Sequence, residues 1–281
     1  MTSYTEEPMF LEGGASPLFA VETRPEAEPR ASVVINGGGW LGTGTNRNAV
    51  LVRMARALAE RGYRTVRFDW RGTGESGGVI ERFDLKAPFK DDTGSVISHL
   101  ERTGGGPIAL TGICFGSVTA LAAARQHRSV DALALISVPF PATVTKADHK
   151  TDRLELDSLV KMALKPATWN ALVRNRSMRE AVFRALKRKL LRQRSRGDSK
   201  PSKSSGLDTA AAIEELAGRG VKIHLIFGDG DLEYASYRAY LEHSPLPETV
   251  EVSVVPGDLS NFGTLGAQQA AIDHVVAALA L

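Results

Sequence analysis

The sequence has a single cysteine, few aromatic residues and no long apolar run. One cysteine, Cys114, in 281 residues excludes an intramolecular disulfide, and a chain without disulfides suits a reducing cytoplasm. No apolar stretch is long enough to cross a bilayer, and the acidic segment 1–13 lacks the basic-then-apolar pattern of a secretion signal. We therefore expect a cytoplasmic protein without a transmembrane segment.

The sequence also lacks clustered metal ligands and a phosphate-binding glycine loop between a strand and a helix. We therefore expect neither a metal nor a cofactor. The net charge is only +3, and no DNA-binding motif or aromatic stacking platform is visible, which argues against a nucleic-acid partner. The hydrophobic content of 43% is sufficient for a real core. The length fits one large domain with an insertion.

Strand-like and helix-like segments alternate through most of the chain. This alternation predicts an α/β fold in which helices cover both faces of a mostly parallel sheet. The expected strands lie at 9–11, 18–21, 31–36, 63–70, 107–114, 130–138, 221–227 and 249–255. The expected helices lie at 46–61, 89–103, 117–126, 208–219, 234–243 and 264–281.

The segment Gly112-Ile113-Cys114-Phe115-Gly116 places the cysteine between an apolar strand and a helix. A strand, a sharp Gly-x-nucleophile-x-Gly turn and a helix form a nucleophile elbow. The N–H groups and dipole of a helix N-terminus favour negative charge, so we expect a lowered pKa for this thiol. The alternative is that Cys114 is a buried small hydrophobe, as most free cysteines are.

Three more landmarks occur in an order that resembles the α/β-hydrolase superfamily from about residue 31 to 281. Asn36-Gly37-Gly38-Gly39 resembles the strand ending that supplies an oxyanion-hole N–H, with Asn36 where the family has histidine. The segment 69–76 resembles its Asp-x-Arg-Gly loop, and 226–231 resembles the turn that delivers the acid. A narrower resemblance is to bacterial cysteine-elbow hydrolases found near exopolysaccharide and exosortase genes.

The resemblance implies an α/β-hydrolase fold and a role for each matching residue. Cys114 would be the nucleophile, the main-chain N–H groups of Phe115 and Gly38 would form the oxyanion hole, and Asp231 would be the acid. Each landmark also has a purely structural interpretation. The loop 69–76 in particular is expected to stabilise backbone turns.

The histidine that closes the family's triad is missing. In Gly257-Asp258-Leu259-Ser260-Asn261, the position that the resemblance assigns to histidine holds Ser260. Of the six histidines, His149 is the one candidate for a substitute base. Asp231 would orient the group at the base position, which is either Ser260 or a water. Alternatively, Asp231 would act as the base itself.

The segment 140–206 interrupts the strand–helix alternation and is helix-rich and basic. We expect it to be a helical cap inserted into a core formed by 1–139 and 207–281. This segment contains a run of Lys and Arg side chains. They are predicted either to form a solvated face or to bind an anionic partner. That partner would be the phosphates of coenzyme A, an acidic acyl carrier protein or an anionic membrane surface. Its docking residues are Arg184, Lys187, Arg188, Lys189 and Arg192.

Two functions follow from this pattern. The first is an enzyme that uses Cys114 for acyl transfer, or for thioester or ester cleavage, through an acyl-enzyme. A cysteine needs less help from a base than serine does, but release of the acyl group to water still needs one. The second is a homologue with a degenerate triad that acts as a binding or scaffold protein, or as a lyase or cyclase. A homodimer is compatible with either function.

Overall fold

The computed structural model describes residues 3–14, 16–38, 43–80, 89–104, 106–140, 207–260 and 262–279. The chain divides into two units, Met1–Thr143 with Gly206–Leu281, and Val144–Ser205. All of the described residues belong to the first unit. The predicted cap, 140–206, lies outside the described residues except for Phe140.

Eight strands of the described chain form one sheet in the order β1-β2-β4-β3-β5-β6-β7-β8. The strands β1, β2 and β4 pair antiparallel, and every other neighbouring pair is parallel. The strands are β1 (Tyr4–Gly13), β2 (Ser16–Pro25), β3 (Ala31–Asn36), β4 (Tyr63–Phe68), β5 (Ile108–Ile113), β6 (Val130–Ile136), β7 (Lys222–Gly228) and β8 (Val250–Val255).

Helices cover both faces of this sheet. They are α1 (Val50–Ala59), α2 (Lys90–Thr103), α3 (Phe115–Gln126), α4 (Thr209–Gly218), α5 (Leu232–Leu241) and α6 (Leu265–Ala278). On one face, Met54 of α1 and Ile272 of α6 pack with Ile35. On the other face, α2, α3 and α4 contribute Ile97, Leu121 and Ile213 to a second core cluster. The predicted α/β architecture with a mostly parallel sheet is therefore confirmed.

Several element boundaries differ from the sequence-based prediction. The first two strands are longer than expected, at Tyr4–Gly13 and Ser16–Pro25, and two other differences have local reasons. The first regular helix begins at Val50 rather than at residue 46, because Asn48 and Ala49 hold positive φ angles of 53° and 52°. Strand β4 ends at Phe68 rather than at residue 70 because the chain turns at Asp69. The carboxylate of Asp69 accepts hydrogen bonds from main-chain N–H groups. None of the described helices is both long and apolar enough to cross a membrane.

Candidate active site

Cys114 lies on a strained turn between β5 and α3. Its φ and ψ angles are 50° and −112°, a left-handed conformation that costs a residue with a side chain about 1–3 kcal/mol. Its own N–H donates to the carbonyl of Ile136 at 2.8 Å, which ties the turn to the end of β6. The sequence thus predicted the strand, turn and helix correctly.

The flanking glycines allow three backbone segments to meet at this turn. A Cβ atom on Gly112 would lie 2.4 Å from the carbonyl oxygen of Gly116, and one on Gly116 would lie 2.2 Å from the carbonyl oxygen of Gly37. A Cβ atom on Gly38 would lie 2.3 Å from the carbonyl oxygen of Ile113. Gly38, the predicted oxyanion-hole donor, therefore lies directly against the residue before Cys114.

Phe115 is the first residue of α3, and its main-chain N–H donates to the sulfur of Cys114. Its ring packs edge-on against Trp70 at 5.7 Å and against Phe89 at 6.4 Å, and Trp70 stacks on Phe89 at 4.9 Å. These contacts fix the residue that follows the nucleophile. The predicted second oxyanion-hole donor is therefore held rigidly next to the thiol.

Asn36, at the position where the resembled family has histidine, is fully buried at the end of β3. Its side-chain amide donates to the carbonyl of Thr111 at 3.1 Å, and its oxygen accepts from the hydroxyl of Thr93 at 2.6 Å. Asn36 therefore links β3 to β5 and α2.

The expected lowered pKa of the Cys114 thiol is wrong. Burial raises this pKa, and the negative charges of Glu233 and Asp231 raise it further, against a smaller lowering by the N–H of Phe115. The sequence indicated that Cys114 lies at a helix N-terminus. It did not indicate that the thiol is buried or that the charges of Glu233 and Asp231 act on it. At neutral pH the group is therefore a thiol rather than a thiolate.

The predicted acid, Asp231, is 3% exposed and lies between the ends of β7 and β8. One carboxylate oxygen accepts from the N–H of Gly228 and the hydroxyl of Ser137. The other accepts from the N–H groups of Leu259 and Ser260 at 2.7 and 3.1 Å. Asp231 is thus close to the position that the sequence assigned to the base, but four protein donors already bind it.

Ser260 contacts Asp231 through its main-chain N–H. Its hydroxyl instead donates to the carboxylate of Asp258 at 2.8 Å. The structure therefore brings Ser260 and Asp231 together, while the serine side chain points to a second carboxylate.

The described histidines have partners elsewhere in the fold. His99 lies beside the buried pair of Arg64 and Glu22, His127 packs on Gly94, and His224 contacts Ser253 and Glu251. The ring of His243 contacts the carbonyl of Ala239, and His274 lies on α6 near His224. The proposed substitute base, His149, lies outside the described residues.

The loop that begins at Asp69 has the structural role that we expected. Its carboxylate accepts from the N–H groups of Gly44 and Glu75, and its carbonyl accepts from the hydroxyl of Ser76. Arg71 makes a three-point contact with the buried carboxylate of Asp92. These interactions secure the loops beside the elbow.

Sequence reasoning missed two residues, Glu233 and Ser137. Glu233 lies in the first turn of α5, and burial followed by the charges of Asp231 and Asp258 raises the pKa of its carboxyl, against a lowering by its own N–H. An acidic residue in a first helical turn is ordinary, so the sequence gives no sign that its charge raises the pKa of the Cys114 thiol. Ser137 has a φ of 47° and binds Asp231, and no sequence signal predicts either property.

Among the described residues, no three His, Cys, Asp or Glu side chains are grouped so that they could hold a metal ion. The predicted docking residues Arg184, Lys187, Arg188, Lys189 and Arg192 lie outside the described part of the chain. Their role stays a prediction.

Comparison with known proteins agrees with this geometry. A family model described as alpha/beta hydrolase fold matches residues 33–218, which is more than half of the chain. No curated protein matches the chain significantly.

Solved structures give the same fold at low sequence identity. An alpha-beta serine hydrolase homologue from Coxiella burnetii is 19% identical with a TM-score of 0.59, over 100% of this chain and 99% of that one. An esterase from Pyrococcus furiosus is 15% identical with a TM-score of 0.59, over 99% and 90%. A proline iminopeptidase from Mycobacterium smegmatis is 15% identical with a TM-score of 0.62, over 96% and 97%. At these identities the likeness shows the fold alone.

Proposed function

Because the chain belongs to the α/β-hydrolase fold family, we propose that it is an enzyme that performs acyl chemistry with Cys114 as the nucleophile. The observation that carries the proposal is the left-handed φ of 50° at Cys114, held where β5 turns into α3. Strain of this kind persists only where the surrounding structure enforces it, and it concentrates at functional sites. The proposed substrate is an acyl ester or thioester.

The surroundings of Cys114 suit attack on a carbonyl group. The Phe115 N–H already points to the sulfur, and the backbone of Gly38 lies against Ile113. Two N–H groups at these positions would stabilise the oxyanion that forms when the sulfur adds to the carbonyl carbon. Asp231 would then organise the loop that carries Ser260 at the edge of the site.

Thioesters and acyl transfer suit this site better than general hydrolysis. The leaving thiol of a thioester needs no protonation, whereas water must lose a proton before it can release the acyl group. With Ser260 in place of the family's histidine, an amine or thiol acceptor is the easier second substrate. Coenzyme A or an acyl carrier protein would present such thioesters, and the basic segment predicted to dock them would favour their negative charge.

A second candidate is a homologue that binds a ligand in the same place, or acts as a lyase or cyclase, without forming an acyl-enzyme. The raised pKa of the Cys114 thiol and the serine at position 260 favour this candidate. The two candidates differ in one chemical event, the formation of a covalent acyl–sulfur bond.

Intact-protein mass spectrometry tests the proposal. Wild-type protein and the Cys114→Ala variant are incubated with thioesters of coenzyme A, short-chain thioesters and activated esters. We expect an acyl adduct on the wild-type protein only, which decays faster when an amine or thiol acceptor is added. No adduct and no turnover with any donor would reject the acyl-enzyme and leave the non-covalent candidate.

A further inference from the structure

Strand β8 forms one edge of the sheet, and its outer side pairs with no other strand of the described chain. The strand order ends at β8, which is hydrogen-bonded to β7 alone. An open edge presents unpaired N–H and C=O groups, to which another chain can add as a further strand. The outer edge of β8 is therefore a surface on which a partner strand could bind.

The main-chain groups of β8 that point outward follow from one hydrogen bond. The carbonyl of Val255 accepts from the N–H of Asp229 at 2.9 Å, so Val255 directs its main-chain groups toward β7. Successive residues of a strand direct their N–H and C=O groups to opposite sides. Counting back from Val255, Val254 and Val252 therefore direct theirs away from the sheet.

The side chains of the same two residues are apolar and exposed. Val252 and Val254 are 40% and 44% exposed, and they share one face of the sheet. On that face they align with Leu225 and Phe227 of β7, which are fully buried. The face is therefore part of the core one strand inward and is open at the edge, as expected where a further strand is to be added.

The opposite edge of the sheet is protected in a way that β8 is not. Strand β1 carries Pro8 and three glutamates, Glu6, Glu7 and Glu12. Proline lacks an N–H donor, and charges along an edge repel a second copy, so both features prevent association through an edge. In β8 the one charged residue is Glu251. The contrast favours β8 over β1 as the edge that associates.

We propose that β8 pairs antiparallel with β8 of a second copy of this chain, so that two sheets join into one. Identical edges that form a closed pair are related by a two-fold axis, which requires the antiparallel orientation. The axis passes through either Val252 or Ser253. In both registers valine lies opposite valine on the exposed face, and the outward N–H and C=O groups bond across the axis.

The charge on β8 is compatible with a second copy as the partner. With the axis at Val252, Glu251 lies opposite Ser253 of the partner subunit. With the axis at Ser253, Glu251 lies opposite Val255 of the partner subunit. Neither register places two glutamates opposite each other, which would be destabilising. Glu251 also lies 3.2 Å from Nδ1 of His224 in its own subunit, so the edge is complementary to itself.

The proposed interface is small, which sets the affinity that we expect. Stable protein interfaces bury about 1,200–2,000 Å² in total, and smaller ones are weak. Pairing of two six-residue strands lies at or below the lower end of that range. We therefore expect a dissociation constant on the order of micromolar rather than nanomolar.

Sedimentation velocity of the full chain, from low micromolar to several hundred micromolar, tests the dimer. We expect the wild-type mass to change from monomer to dimer over this range. Val252→Lys brings two lysines together near the axis and should raise the dissociation constant at least about tenfold. Val79→Lys is the matched control, because Val79 is 79% exposed and lies outside the strands, and it should dimerise like the wild-type protein.

Two results would overturn the proposal. The first is a wild-type protein that stays monomeric at every concentration. The second is a dimer that forms equally well in a folded Val252→Lys variant, since that dimer would use another face. Circular dichroism shows whether the variant folds.

Disulfide cross-linking tests the pairing without relying on the lysine variant. Because Cys114 is the only cysteine, the Cys114→Ala background gives single-cysteine proteins. Residues directly opposite in an antiparallel pair have Cα atoms about 4.5–5.5 Å apart, within reach of a disulfide. Under oxidation by diamide, either Val252→Cys or Ser253→Cys, whichever lies on the axis, should form a covalent dimer. Val79→Cys measures random collision.

Cross-linking at neither position above the level of Val79→Cys would reject the pairing of β8 with itself. The dimer does not depend on the acyl chemistry of Cys114. Its rejection would therefore leave the proposed function untouched, and a protein that never acylates could still dimerise.

Discussion

At the scale of single residues, Asp231 shows how one carboxylate can organise a site. Its two oxygens bind Ser137 at the end of β6, Gly228 at the end of β7, and the main chain at Leu259 and Ser260. Three segments that are distant in sequence therefore meet on one buried side chain. Its removal should affect folding as well as any chemistry.

We expect Asp231→Asn to lower the free energy of unfolding by at least about 3 kcal/mol. The amide keeps one acceptor oxygen and loses two bonds to a charged group, at about 1.5–3 kcal/mol each. Denaturant unfolding followed by circular dichroism measures the loss. Asp229→Asn is the matched control, because Asp229 is exposed and accepts from the N–H of Gly257. Equal losses in the two variants would contradict the role given to Asp231.

The same scale shows what the sequence could predict for the site. The Gly-x-Cys-x-Gly spacing predicted that Cys114 lies on a turn between a strand and a helix. The family resemblance implied that Asp231 lies beside the loop of Ser260. They could not predict that burial of the thiol and the charge of Glu233 raise the pKa of Cys114. Both depend on burial and on distances between elements that are far apart in the chain.

At the scale of secondary-structure elements, the elbow depends on backbones that nearly touch. The loop after β3 passes so close to the start of α3 that only hydrogen fits at Gly116. The spacing of glycines around Cys114 predicted the sharp turn but not this contact with the loop after β3. The irregular start of α1 was not predicted, since left-handed residues such as Asn48 and Ala49 leave no periodic signal.

Gly116→Ala should therefore lower the free energy of unfolding by at least about 2 kcal/mol, as overpacking typically does. The new Cβ atom would meet the carbonyl oxygens of Gly37 and Asn36 at 2.2 and 2.8 Å. Gly218→Ala is the control, because that glycine ends α4 with nothing within 4 Å. The control should be neutral or stabilising by up to about 1 kcal/mol. Denaturant titration compares them, and a Gly116→Ala variant as stable as Gly218→Ala would contradict the packing.

At the scale of the whole sheet, the site lies at the carboxyl ends of the central parallel strands. The strands β3 and β5 are buried along their full length, whereas β1 is mostly exposed and pairs with β2 alone. The sequence predicted eight strands and a mostly parallel sheet from alternation alone. The position of each strand within the sheet depends on long-range pairing, which no local pattern records.

Hydrogen exchange of backbone amides should follow this layout. We expect amides of β3 and β5 to exchange only through global unfolding, and those of β1 to exchange at least about tenfold faster through local opening. Mass spectrometry of peptides from each strand measures the difference, and β2, which is paired on both edges, serves as the internal comparison. Identical protection in β1 and β3 would show that the sheet opens as a single unit.

The four donors that converge on Asp231 also bear on how such a site changes over evolutionary time. Selection for folding alone would retain the aspartate after catalysis had ceased, because even the conservative replacement by asparagine releases two of its four donors. The neighbouring position 260 meets Asp231 through its main-chain N–H, so a change of its side chain would leave that contact in place. A lineage descended from a triad enzyme would thus lose its histidine early and its aspartate last. The presence of the acid in this fold is therefore explained by architecture alone, and it does not by itself show present activity.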